Sequence, residues 1–204
     1  MSTMTQTNSN RKLVLSDILE QRAYERIRDT KRAEIIELKR RRRISLGTIV
    51  TVMFENRATM QSQIQEMLRV ERVVSDEGVL EELKAYNPLI PEAGQLCATV
   101  FIELVTDDQM REWLPKLVDI EKSIAIKLAN GEVVKATVDE AHAEQLTRET
   151  VTAAVHYIRF QFTPQQVVEF AKGNVQVIST LSNYLEAVEL ADFTVAELLT
   201  DLRD

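Results

Sequence analysis

The densest set of chemically useful side chains runs from Glu55 to Arg72. Glu55-Asn56-Arg57 is followed by Gln61, Gln63, Gln65, Glu66, Arg69, Glu71 and Arg72. A strand that ends in Glu, Asn and Arg puts donors and acceptors at a sheet edge. On a helix that follows it, Ser62, Glu66 and Arg69 share one side, with Gln65 beside them. Arg57 and Arg69 could then hold a small anion, and Glu55 and Glu66 a cation. The competing reading is structural: Glu66 pairs with Arg69, and Glu55 or Asn56 caps the turn.

The two histidines widen the choice. His142 lies in DEAHAEQ, beside Asp139, Glu140 and Glu144. One imidazole with two carboxylates can ligate a metal or form an acid–base pair. The HExxH spacing that would make this specific is absent. His156 alternates with Ala154, Ile158, Phe160 and Phe162, on the apolar face of its strand, while Tyr157, Arg159 and Gln161 share the other face. A buried, hydrogen-bonded histidine is the simpler reading there. Cys97 begins a strand with nothing around it to lower its pKa, so it reads as a buried structural thiol. Trp113, in REWLPKL, is a packing anchor or, if exposed, an interface anchor. There is no GxSxG and no phosphate loop, and these patterns call for no cofactor. A single cysteine excludes an intrachain disulfide and a multi-cysteine metal site.

The elements that must position these residues follow from periodicity and punctuation. Residues 1–11 are polar and unpatterned, and are expected to be a disordered tail. Ser16 can cap a short helix with Asp17 and Glu20 in its first turn. Arg22 to Arg43 holds no Gly or Pro and reads as one long, half-wetted helix. Thr48 to Glu55 reads as a strand. Thr59 to Val73 reads as helix, although its second half could alternate as strand. Asp76 to Tyr86 is a helix stopped by Asn87-Pro88. Leu96 to Val105 is a strand, and a helix starts at Asp107 or Asp108. Ser123 to Ala129 and Glu132 to Val138 flank Asn130-Gly131, which predicts a type I′ hairpin. Thr152 to Phe162 is a strand. Thr163 caps a helix with Pro164 at its first position. Short strands follow at Asn174 to Ser179 and Tyr184 to Leu190. Thr194 and Glu197 read as the capping box of a closing helix.

This order lacks βαβ alternation. It predicts an α+β fold: a mixed or mainly antiparallel sheet, helices mostly on one side, and a long N-terminal helix. One domain is expected over residues 12–204, with a helical arm at 16–43.

Composition narrows the class. Hydrophobic residues make up 45% and charged residues 28%, which excludes wholesale disorder. No apolar run is long enough to cross a membrane. The opening MSTMTQTNSNRK does not read as a signal peptide, so a soluble cytoplasmic protein is expected. Residues 11–43 hold 12 Lys/Arg against 6 Asp/Glu, and the remainder 13 against 26, giving +6 and −13 within a net charge of −7. The basic excess ends in Lys39, Arg40, Arg41, Arg42 and Arg43. Such a run can touch phosphates without reading bases. It can equally dock on an acidic face of this chain or of a partner subunit, or simply suit the end of a helix. The acidic body makes nucleic acid an unlikely target.

FENRATMQSQIQEMLRVER, preceded by YERIRDTKRAEIIELKRRRR and followed by NPLIP, REWLPKL and LTRETVTAAVHYIRFQFTPQQ, resembles a bacterial domain family of unknown function numbered 3501. The resemblance runs from about Lys12 to Arg203. It brings no catalytic residue set. It implies an accessory role in redox or iron metabolism, with a redox or iron–sulfur protein as partner. Three readings follow. One is an accessory or binding protein, with a homodimer through residues 16–43 as one form of it. Another is a small metal- or anion-dependent enzyme using Glu55, Arg57, Glu66, Arg69, His142 and His156. The third is a weak nucleic-acid binder through the 39–43 run.

Overall fold

A computed structural model describes residues 11–138 and 152–203. Nearly all of the expected N-terminal tail, and His142 with its acidic neighbours, lie outside these residues.

Helix α1 (Gln21–Arg42) follows from the unbroken Arg22–Arg43 segment, and Lys39 to Arg42 in its last turn complement its dipole. It ends as the backbone turns extended at Arg43, which opens strand β1 (Arg43–Leu46). The sequence places no strand here. Only Ile44 and Leu46 point inward, too short an alternation to register. Upstream, Leu15–Asp17 forms a single 3-10 turn capped by Val14, whose N–H donates to Asp17 at 2.8 Å. Ser16 therefore caps nothing; it sits inside the turn.

Strand β2 (Val50–Glu55) is buried on both faces, which explains its near-continuous apolar run. Asn56 caps α2 (Arg57–Glu71), and α3 (Asp76–Tyr86) follows. The helical reading of this segment holds. Strand β3 (Gln95–Ile102) leads to α4 (Asp107–Trp113), the short α5 (Ile120–Ser123), β4 (Ile124–Lys127) and β5 (Val133–Val138). The β4–β5 turn is not type I′. The Gly131 N–H donates to Leu128 at 2.9 Å and Leu128 to Glu132 at 2.8 Å. Gly131 has φ 87° and Asn130 is not left-handed. This is a three-residue loop in which glycine alone takes the left-handed position.

Strand β6 (Val155–Gln161), α6 (Pro164–Phe170), β7 (Gln176–Leu181), β8 (Tyr184–Glu189) and α7 (Asp192–Arg203) complete the chain. Thr163 caps α6 as expected. Thr194 does not cap α7. That helix starts two residues earlier, and the Thr194 N–H donates back to Ala191.

The eight strands form one sheet in the order β1-β2-β3-β6-β5-β4-β7-β8, with every described ladder antiparallel. The sheet curls toward a barrel. Its inner face supplies Val52, Phe54, Val100, Ile126 and Phe160 to the main core. Helices α5 and α7 extend that core through Ile120, Leu198 and Leu202. A second cluster, Met60, Ile64, Leu68, Leu83 and Ile90 with Leu13, gathers α2 and α3.

Tyr184 ties the two ends of the strand order together. The Tyr184 hydroxyl on β8 donates to the Leu46 carbonyl at 2.7 Å and accepts from the Ile49 N–H at 3.3 Å. Gly47 lies under it with φ 69°, and a Cβ there would stand 2.5 Å from that hydroxyl. Tyr184→Phe removes both of these bonds. Urea unfolding of that variant should show a loss of about 1–3 kcal/mol; an unchanged midpoint would mean that the clasp contributes nothing.

Candidate functional site

The sequence gathers Glu55, Asn56, Arg57, Glu66 and Arg69 into one candidate site. The fold separates them. Asn56 accepts the Thr59 N–H at 3.0 Å, and Thr59 in turn accepts the Asn56 N–H at 2.9 Å. Asn56 is thus a cap, as its structural reading expects. Arg57 pairs with Asp17 at 2.7 Å. Glu66 faces α1, not Arg69. Arg28 donates to its two oxygens at 2.8 and 2.9 Å, and the Tyr24 hydroxyl adds a bond of 2.7 Å. Arg69 pairs with Glu25 at 2.6 Å. The Glu66 and Arg69 contacts join α2 to α1.

The charge environment follows from this pairing. The Arg28 fork holds the Glu66 carboxyl down to about 2 against the opposing effect of burial, with the Tyr24 hydroxyl helping. Burial first, and then the bond to Glu66, push Tyr24 up to about 12.

Glu55 points the other way, onto the outer face of the sheet beneath the helices. It is 5% exposed. Thr99 donates to its Oε1 at 2.8 Å, while its Oε2 has no partner among the described residues. The register sets Glu55 opposite Cys97, and Cys97 opposite Arg159. Three side chains distant in sequence thus form one row across β2, β3 and β6. Burial pushes the Cys97 thiol up; the Arg159 guanidinium beside it pulls the other way without prevailing.

His156 is three residues from Arg159, so its side chain lies on the opposite, inner face. It is 2% exposed, as is Glu121. Its Nε2 lies 2.8 Å from the Ala153 carbonyl and 2.8 Å from the Thr152 hydroxyl. A carbonyl only accepts, so Nε2 carries the hydrogen and Nδ1 faces Glu121 at 3.7 Å. Glu121 had no sequence signal: it sits in a single helical turn after left-handed Asp119. Sealed from solvent, this pair fits a buried histidine better than a working acid–base couple. Among the described residues, no group of three or more His, Cys, Asp or Glu is placed to hold a metal ion. Glu55 and His156 lie on opposite faces, so the predicted Glu/Arg/His site does not assemble from its described members.

The basic run is largely taken up inside the chain. Arg42 is 0% exposed. It donates to Glu197 at 3.0 Å and to the two oxygens of Asp201 at 2.6 and 3.1 Å. Arg41 also reaches Glu197, at 3.0 Å. Arg43 pairs with Glu103, and Arg40 with Glu37. Of the roles open to the run, docking on an acidic face of the same chain is the one Arg41 and Arg42 adopt. Burial raises the Asp201 carboxyl, with Arg42 opposing it.

A family model described as "Protein of unknown function (DUF3501)" matches residues 12–202. The chain belongs to this family. The DUF3501 chain is also similar to a solved structure, a novel protein of unknown function from Burkholderia pseudomallei K96243. That similarity has 31% identity and a TM-score of 0.85, and covers 94% of this chain and 99% of the other. No curated protein matches. Among the described residues, no helix is long and apolar enough to cross a membrane.

The Glu66 contacts generate a pH prediction. A depressed carboxyl contributes stability that is present above its unfolded value, near 4.5, and lost as pH falls toward about 2. Glu66→Gln should therefore cost about 1–2 kcal/mol at neutral pH, allowing for partial solvent screening. The gap from wild type should close between those two pH values in denaturant titrations. A gap that stays constant down to the lower value would refute the assignment.

Proposed function

We propose that this DUF3501 protein is an accessory protein that works by binding an acidic protein surface through the outward face of α1. The carrying observation is a stripe along that helix. Arg22, Arg26, Asp29, Ala33, Ile36 and Arg40 are all exposed, and their spacing sets them on one side. Tyr24 and Arg42, the buried residues of α1, lie on the other side.

The helix is fastened near both ends. Arg28 and Tyr24 hold its first half to Glu66, and Arg42 holds its last turn to Glu197 and Asp201. A rigid helix loses little entropy when it docks. Nine Lys/Arg against four Asp/Glu within Gln21–Arg42 supply the charge that an acidic surface complements. Ile36, 56% exposed, adds an apolar contact that a phosphate backbone does not use. The acidic remainder of the chain repels nucleic acid, which favours protein over polyanion. A redox or iron–sulfur protein is the class to try first, on the family resemblance alone.

The test is a triple charge reversal, Arg22→Glu, Arg26→Glu and Arg40→Glu, at positions with no buried role. A partner cross-linked to wild type, purified and added back should bind more weakly at raised salt, and about tenfold or more weakly to the reversed protein. Native mass spectrometry reads the assembly in parallel. Equal binding to both proteins would overturn the proposal. So would salt-sensitive binding of random duplex DNA, or a homodimer that leaves no stripe free.

A further inference from the structure

A small cavity of about 110 Å³ opens on the outer face of the sheet, away from α1 and independent of the reading above. Its floor is Cys97, Tyr157 and Arg159, and Pro88 and Leu89 stand over it. Register places Arg159 between Cys97 on β3 and Thr137 on β5. One Arg159 Nη2 hydrogen goes to the Pro88 carbonyl at 2.9 Å. Its Nε–H is buried and meets no acceptor among the described residues. No carboxylate among them forms an ion pair with this guanidinium, whereas Arg28, Arg41, Arg42, Arg43, Arg57 and Arg69 each have one. The neighbouring Thr137 hydroxyl is already committed, donating to the Arg159 carbonyl at 3.1 Å.

We propose that this cavity binds a short-chain monocarboxylate, held by the Arg159 guanidinium with its alkyl end against Leu89 and the Tyr157 ring. A carboxylate supplies the acceptor that Nε–H lacks and the charge that the guanidinium lacks, and it matches the planar fork. The cavity is equivalent to roughly three or four waters in liquid volume, which suits an acid of acetate or propionate size. Its apolar walls, Pro88, Leu89 and the Tyr157 ring, favour an organic anion over a strongly hydrated one such as sulfate. Cys97 forms part of the floor and takes no part in chemistry.

The Arg159 Nε–H is its own reporter. In proton–nitrogen correlation spectra of labelled protein it is assigned by its loss in Arg159→Lys, which has no such group. Sodium acetate and propionate should move it downfield along a saturating curve, with propionate the tighter. Sodium chloride at matched ionic strength should not. Leu89→Trp fills the cavity while keeping Arg159, so the resonance should survive and its response weaken about tenfold or more. An equal response to chloride, a shift that never saturates, or an unchanged titration in Leu89→Trp would overturn the proposal and leave a water-filled cavity.

Discussion

A buried guanidinium must be paired, and Arg42 is the one on which the layout of this chain turns. Removing a charge from water costs several kcal/mol unless geometry and hydrogen bonds restore it. Glu197 and Asp201 do so together. Both are on α7, at the far end of the sequence. The last turn of α1 therefore has to lie against α7, and β1 starts at the next residue. One ion cluster fixes where the arm meets the sheet and where the C-terminal helix rests. It also explains why Arg41 and Arg42 are not free surface charges, although composition alone makes them look so.

The sequence was informative where a single local rule decides the outcome. Asn56 and Thr163 are caps because the residue types and the turn after them permit little else. α3 was legible to the residue, stopped by Asn87-Pro88. Local rules failed where a distant partner competed. Glu197, three residues after Thr194, resembles half of a capping box, yet Arg41 and Arg42 claim it. Glu66 and Arg69 are helix neighbours, yet α1 offers each a better-aligned partner. Asn130-Gly131 marked the hairpin correctly and its turn type wrongly, because Leu128 bonds across one more residue than a type I′ turn allows.

The described members of the candidate site are kept apart for a different reason. Five of its members, Glu55, Asn56, Arg57, Glu66 and Arg69, are close along the chain, but a sheet sorts residues by parity and by strand order. Parity sends His156 inward and Glu55 outward, so these two members cannot share a ligand on one face. Strand order creates the row Glu55, Cys97, Arg159 from segments more than forty residues apart. Nothing short of the pairing β2-β3-β6 reveals it. Alternation does foretell the face of each residue: Tyr157, Arg159 and Gln161 were separable from His156 by periodicity alone.

The meeting of β1 and β8 through Tyr184 has a geometric meaning of its own. In a barrel closed by a backbone ladder, strand number and stagger dictate the radius. Here every ladder but the closing one is made of backbone bonds, and the last gap is spanned by a phenol. The circumference is therefore not quantised by a register. It can settle at whatever width the interior side chains demand, so sequence change in the core is absorbed by sliding at one seam while the other strand pairs keep their alignment.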